Sequence, residues 1–455
     1  MKCAKEYSAL TRKRSLLMLF IIFGLSIILL SQCTKSVQQP EKTITDKVVT
    51  GVGKNNDTTS ILESQTLKVT VSMQPAEFAL LQKQSDEYTK NNEDIHVELK
   101  NIPDGYSELK KANQMGDAPD LMLMDNLWVN EFAALGFLRP IDEFFTGEQQ
   151  SKGIMTLMNQ VKWNGYMWAI PKDVDPYILV WNKDIAKENK WQHAPESAEE
   201  WIAWNKTLMH PELGKFGIYI NPTDPYAILS VLSSFTDEPS QTSYLTSLRD
   251  PLIIKKIESF FVPQEEIYNA ALLKQNYPAF SANTDPWILL RLGTIAAMVT
   301  TVSEYKEHES SYIELAALKT NSLATYETIN NGLLKGRSYA ISSRSKNEIL
   351  AINWIKEMTS VGTDLIVWDE AKLLRSIPTA YLATPISNDA NSNSYSWLIN
   401  HGKALPVEPE TNKKISTFKN EWNQVWQGKQ NFSSFLESSA KLWIENKSSF
   451  SYLSP

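Results

Sequence analysis

The sequence predicts an α/β protein of more than one domain. Three observations carry this. From Leu67 onward, apolar runs suited to strands alternate with amphipathic segments suited to helices, the order that yields parallel βαβ units wound right-handed. The chain has 455 residues, too many for one ordinary core and suited to two. A second set of buried-strand and helix signals, from Thr294 to Gly362, lies far downstream of the first.

Taken in order, Lys2, Lys5, Arg12, Lys13 and Arg14 form a positive region ahead of an apolar run, Ser15 to Leu30. That run is slightly short for a comfortable bilayer span, as in an export signal. Leu30-Ser31-Gln32-Cys33 resembles a bacterial lipobox, in which the Cys is lipidated and becomes the mature N-terminus. Gln32 stands where that pattern prefers a small residue. Residues 1–32 are expected to be a lipoprotein signal peptide, with an uncleaved signal anchor as the alternative. Both place the folded part outside the cytoplasmic membrane. Cys3 would leave with the signal, so Cys33 would be the one mature cysteine and no intrachain disulfide could form. Residues 33–65 are polar and aperiodic, a flexible linker with a reach of roughly 30 Å.

Leu67–Met73 alternates as a strand. Pro75 opens a helix with Phe78, Leu81 and Tyr88 in its buried stripe. Ile95–Asn101 reads as a strand, Ser107–Met115 as a helix and Pro119–Met124 as a continuously apolar strand. Asn126–Leu135 reads as a helix stopped at Gly136. Asn164-Gly165 signals a hairpin inside Trp163–Ile170. Pro171–Tyr177 has no period and reads as a connector, followed by a strand at Ile178–Trp181. Pro195–Trp201 starts a helix with acidic residues in its first turn. Ser230–Pro286 is helix-rich. Thr294–Met298 is a buried strand, and Ser345-Lys346-Asn347-Glu348 a capping box whose helix buries Ala351, Trp354, Ile355 and Met358 and ends at Gly362. Ile415–Trp426 and Phe435–Ile444 carry helical signals.

Net charge is −7, which argues against nucleic acid, since a phosphate backbone needs a basic footprint. The five histidines are scattered without metal-ligand spacing, and no nucleophile elbow, phosphate loop or dinucleotide fingerprint occurs. No cofactor, metal or enzymatic activity is expected.

Two stretches are more specific: Gly116–Asp125 (GDAPDLMLMD) and Val161–Ile185 (VKWNGYMWAIPKDVDPYILVWNKDI). They resemble the first half and the crossover of periplasmic-type solute-binding proteins, in particular the sugar- and maltodextrin-binding family served by ABC importers. Thr294–Met298 is similar to a strand of the same family. The resemblance implies a type II fold of two α/β lobes with a hinge between them. Lobe one would comprise 66–172 plus 333–375, and lobe two 173–332 plus 376–455. It implies an extracytoplasmic monomer, lipid-anchored to the cell membrane, that closes on a carbohydrate and presents it to membrane permease subunits.

The site residues come in four groups. Asp125 and Asn126 follow the strand at Leu121, where ligands sit in open α/β sheets; either could equally cap the next helix. Trp128 could supply the aromatic that the family places at Met124. Asp173, Asp175 and Tyr177 lie in the first crossing, and Asp175 matches a hinge carboxylate that accepts sugar hydroxyls. In Ile220–Tyr226, Asp224 would accept hydroxyls and Tyr226 would stack. In Thr300–Tyr305, relatives show Gly and Trp where this chain has Val302, Ser303 and Glu304, so Tyr305 would take the stacking role, beside Glu304. Gln74 and Trp287 are further candidates. Carboxylates accept several hydroxyls and aromatic faces cover the C–H side of a sugar ring. So many acids would repel anionic ligands unless basic residues intervene. A neutral oligosaccharide is the expected ligand. A cation such as a polyamine, a sensor partner in place of a permease, and a secreted polysaccharide-active enzyme are the alternatives. Asp175→Ala is expected to abolish ligand-induced stabilisation and leave the unliganded melting temperature nearly unchanged.

Overall fold

The computed structural model describes residues 65–144, 154–191, 194–235, 250–261, 285–308, 326–328, 333–371, 373–375, 398–399, 402–426 and 429–444. The signal segment, Cys33 and the linker up to residue 64 lie outside the described residues, as do most of Ser230–Pro286 and 376–397.

The chain opens with β1 (Gln65–Val71), which buries Leu67, Val69 and Val71. α1 (Pro75–Asn91) starts at the expected proline and lays Leu80, Leu81, Gln84 and Ser85 inward, with Phe78 and Tyr88 half-buried beside them. β2 (Ile95–Asn101) pairs in parallel with β1. α2 (Gly105–Met115) is capped by Asp104, whose carboxylate accepts from the Ser107 N–H at 3.0 Å. β3 (Leu121–Asp125) has all five residues buried and lies parallel to β1 on its other side. α3 (Asn126–Ala134) follows and Gly136, at φ +71°, turns the chain out of it. After α4 (Met155–Gln160), β4 (Lys162–Trp163) and β5 (Tyr166–Met167) form the expected hairpin. Its turn residues Asn164 and Gly165 sit at φ +50° and +84°, the pair of left-handed conformations a type I′ turn requires.

The expected connector at Pro171–Tyr177 is instead the middle of the longest described strand, β6 (Ile170–Trp181). Its residues are buried on both faces, apart from half-buried Ile170 and Asp175, so no alternation marks it. Its prolines sit where a ladder tolerates them: Pro171 beside a bulge at Arg337/Ser338, and Pro176 opposite Leu334, where the partner strand begins.

The chain continues through α5 (Lys183–Glu188), α6 (Ala198–Leu208), β7 (Phe216–Ile220), α7 (Pro225–Ser233), α8 (Pro251–Phe261), α9 (Pro286–Arg291), β8 (Ile295–Thr301), β9 (Tyr326–Thr328), β10 (Leu334–Ile341), α10 (Glu348–Met358), α11 (Val361–Ala371), β11 (Leu374–Arg375), α12 (Thr411–Trp426) and α13 (Phe432–Ile444). Strand order is β2-β1-β3-β10-β6-β8-β7, with β9 and β11 also on β6. β10 is antiparallel to both β3 and β6, and β6 to β8, so the sheet is mixed. β6 serves two ladders. Residues up to Pro176 pair with β10, and Tyr177–Trp181 pair with β8.

Apolar cores form on both sides of this change of partner. One gathers β1, β3, β10 and α10 around Phe132, Tyr339 and Trp354. Another joins α6, α7, α8, α12 and α13 to the second half of β6 around Trp201, Phe260 and Trp422. A third surrounds Val174, Ile178, Phe216 and Met298. Much of the aromatic content is therefore core.

Two expectations near α10 fail for identifiable reasons. The capping box does not form, because Ser345 Oγ donates to Asp120 Oδ1 at 2.6 Å while Glu348 pairs with Arg139; Asn347 is the N-cap. The helix stops at Met358, and Gly362 lies inside α11. The buried stripe Ala351, Trp354, Ile355 and Met358 is as expected.

Candidate ligand-binding site

β10 lies opposite β6 so that Lys335 faces Asp175 and Arg337 faces Asp173 in register; on its other edge Arg337 stands opposite Asp125. This ladder of alternating charge is the floor of the site.

Its first part is a closed quartet. Arg337 makes two forks, Nη1 and Nη2 to Glu77 at 3.0 and 2.8 Å, and Nε and Nη2 to Asp173 at 3.2 and 2.5 Å. Lys172 Nζ donates to Glu77 Oε1 and Asp173 Oδ2, each at 2.8 Å. Burial alone would raise both carboxyls. Arg337 and Lys172 outweigh it, holding Asp173 well below the usual carboxylate range and lowering Glu77. Two cations and two carboxylates leave the quartet neutral.

The second part is less balanced. Asp175 accepts from Ser303 N–H at 3.0 Å and Ser303 Oγ at 2.6 Å, which ties β6 to the helical turn after β8. Tyr177 OH donates to Asp224 Oδ2 at 2.8 Å, and the other oxygen of Asp224 caps α7 by accepting from Tyr226 N–H at 3.0 Å. The Tyr177 and Tyr226 rings stack, 6.5 Å apart and 16° from parallel. Asp125 caps α3 through Leu127 N–H at 2.9 Å. Burial raises the Asp125 and Asp175 carboxyls, offset in part by Lys335 at Asp125 and by Ser303 at Asp175. It also raises the Tyr177 hydroxyl, and Asp224 adds to that. Asp125, Tyr226, Lys335, Gly336 and Leu405 border a gap of about 10 Å³, room for roughly one water.

Because both Asp175 oxygens hold Ser303, the expected neutrality of Asp175→Ala for the unliganded protein is revised. Losing both bonds should lower unfolding free energy by roughly 1–3 kcal/mol, visible in a urea titration without ligand.

The other candidates separate. Asn126 is fully buried and bonded within the protein: Nδ2 donates to Gln160 Oε1 at 3.1 Å and Oδ1 accepts from Ser338 Oγ at 2.5 Å. Gly336 is needed beneath it, since a Cβ there would come within 2.7 Å of Asn126 Nδ2. Trp128 is half-buried, edge-on to Tyr106 at 5.5 Å, and touches two cores. Gln74 is the exposed N-cap residue of α1, three residues before Glu77. Glu304 accepts from Thr300 Oγ1. Although its side chain stays partly in solvent, partial desolvation, then Asp175 and Asp224, push its carboxyl upward. Tyr305 is 6% exposed and packs in the third core, because it lies one residue round the turn from Glu304. Trp287 stacks on His308 at 4.3 Å and borders the same core.

Sequence reasoning missed Glu77, Lys172, Lys335 and Arg337. Glu77 and Arg337 are 260 residues apart, so no local pattern joins them. Lys172 stands beside Asp173 in the crossing and could have been paired with it there.

Among the described residues no group of three or more His, Cys, Asp or Glu is arranged to hold a metal, and no helix is long and apolar enough to cross a membrane.

Residues 83–400 match the family of bacterial extracellular solute-binding proteins. The chain belongs to that family. The maltotriose-binding protein of Pyrococcus abyssi is 27% identical over 164 residues, which is 36% of this chain and 35% of that relative's length. The chain thus matches about a third of that relative. Among solved structures, the GacH receptor of Streptomyces glaucescens, studied unliganded and with acarbose, aligns with a TM-score of 0.65 at 18% identity, over 84% of this chain and 99% of its own. The sugar-binding protein MalE of Xanthomonas citri aligns at 0.66 and 16% identity, over 84% and 98%. The fold is that of type II periplasmic binding proteins, as the crossing and the strand at Leu121 implied.

Proposed function

We propose that this chain captures a neutral oligosaccharide between two lobes and delivers it to an ABC importer, held at the outer face of the cell membrane by a lipid on Cys33. The carrying observation is the cluster formed where β6 changes partners, with Asp175, Asp224 and the stacked Tyr177–Tyr226 pair. Carboxylates accept sugar hydroxyls more strongly than neutral groups do, and tyrosine faces cover apolar ring edges. The binding of maltotriose and acarbose by the relatives named above supports the same class. Lobe one is 66–172 plus 333–375 and lobe two 173–332 plus 376–455. The ligand bridges them and draws the pair shut. A gap of about 10 Å³ holds no sugar, so the lobes part to admit one. The protein works as a monomer without a cofactor and leaves its ligand chemically unchanged.

The test is a thermal-shift and calorimetric screen of the purified chain against neutral mono- and oligosaccharides. A matching sugar at a hundred times its Kd adds about 2.7 kcal/mol to the unfolding free energy. No shift with any neutral saccharide would remove the carbohydrate reading. Release of shortened glycan during incubation would replace it with the enzymatic one. Co-purification with a membrane kinase instead of permease subunits would make the protein a sensor.

A further inference from the structure

Of the three cations that the β6–β10 ladder brings together among the described residues, the quartet uses two, Lys172 and Arg337. Lys335 remains. Among the described residues no carboxylate oxygen lies within 4.0 Å of its ammonium, which rests over the Tyr226 ring, 5.5 Å from the centroid. It is half-buried, opposite Asp175 in the ladder, and lines the same small gap as Asp125 and Tyr226. The acids left outside the quartet are Asp125, Asp175, Asp224 and Glu304. Four carboxylates and two tyrosine faces without a cation would make a cage for an organic ammonium, which such rings and acids attract.

We infer that Lys335 is a built-in counter-ion that fills the ammonium position of the site, so that the site takes uncharged saccharides and refuses amines. The inference deepens, and rests on, the carbohydrate reading of the same site. Its Nζ stands where a ligand cation would contact Tyr226, and its charge offsets part of the field of Asp125 and Asp175. An incoming amine must displace a tethered cation whose effective concentration is high. A neutral sugar needs only that the lysine stem swing aside, keeping its charge among the acids.

The experiment is calorimetry on the full chain, wild type, Lys335→Met and Lys335→Arg, with spermidine and with the neutral saccharide panel. The Met variant should gain spermidine affinity by at least about tenfold over wild type, the scale of one desolvated cation–ring contact. The Arg variant should stay as unresponsive as wild type. Circular dichroism and melting without ligand establish that each variant is folded, and Lys335→Gln replaces Met should that variant fail. Equal spermidine binding by wild type and a folded neutral variant overturns the inference. So does binding of a uronic-acid trimer by wild type that Lys335→Met abolishes, since Lys335 would then recognise anions. If the variant gains spermidine while no form binds any neutral saccharide, the counter-ion role stands and the carbohydrate reading falls. If saccharide binding holds and no spermidine gain appears, only the counter-ion role falls.

Discussion

Replacing Arg337 with methionine is expected to cost about 3–5 kcal/mol of unfolding free energy, more than the loss of the Asp175–Ser303 bonds. The reason is the set of charges left behind. Glu77 and Asp173 have side chains only 11% and 5% exposed, and without the guanidinium they share one ammonium. Glu77→Gln added to Arg337→Met should recover part of the loss, because it removes one of the stranded charges. The same quartet predicts how stability depends on pH. The folded-state pKa values of Glu77 and Asp173 are depressed, so their contribution is complete above the ordinary carboxylate range and is lost as pH falls through the lowered values. Asp125 and Asp175 act oppositely. Their folded-state pKa values are raised, so the folded state takes up protons first and gains stability as pH falls through those raised values, the gain being complete below the ordinary carboxylate range. Urea midpoints measured downward from pH 7 should hold or rise slightly, then drop steeply below about pH 4. In Arg337→Met the steep acid loss should be blunted. A monotonic fall from pH 7, alike in both proteins, would contradict this account.

Asp224→Ala should weaken oligosaccharide binding by roughly a hundredfold, about 3 kcal/mol, the worth of one to two charge-assisted hydrogen bonds. Three losses coincide at this residue. Its carboxylate is an acceptor for sugar hydroxyls in the proposed mode. It positions Tyr177 through the 2.8 Å hydroxyl contact and, by capping α7, sets the start of the helix that carries Tyr226. Calorimetry with the best saccharide measures the affinity change. Asp224→Asn separates the contributions, since the amide oxygen can still cap α7, while the NH2 in place of the other oxygen can only donate to the Tyr177 hydroxyl and the charge is gone. It should lie between wild type and Ala. Wild-type affinity in Asp224→Ala would take this loop out of the site.

What could be seen in the sequence was what is local. The helix from Asn126 to its stop at Gly136, the strand Ile95–Asn101, the Asn164-Gly165 turn and the final two helices each depend on periodicity or on a residue with a particular backbone preference. The first half of β6, Pro171–Tyr177, was hidden because burial on both faces erased the alternation that marks a strand, and two prolines imitated a loop; only its end, Ile178–Trp181, read as a strand. The failed capping box has a similar cause, since the hydroxyl that should cap was claimed by Asp120, 225 residues away in sequence. Site chemistry followed the same division. The acids stand out as a series along the chain, and the crossing places Asp173, Asp175 and Tyr177 on one strand. Of the three cations among them, Lys172 stands beside Asp173 in the crossing, while Lys335 and Arg337 became visible only once β10 was laid against β6. The run of acids read from the sequence is interleaved in the fold with three cations, of which Lys172 and Arg337 pair with Glu77 and Asp173 and Lys335 rests over the Tyr226 ring.

The shared strand also limits how this protein can be cut. At Pro176 the ladder with β10 ends, and at Tyr177 the ladder with β8 begins, along one unbroken piece of backbone. β10 itself comes from far down the chain, after all of β7 and β8. Among the described residues, no single break within the sheet leaves both pieces with all their strand partners. A fragment ending near residue 181 would carry a bare edge where β8 belongs, and one starting there would lack the central strand that β8 and β10 both lean on. Efforts to obtain either half in isolation should therefore graft or duplicate residues 170–181 rather than choose a boundary.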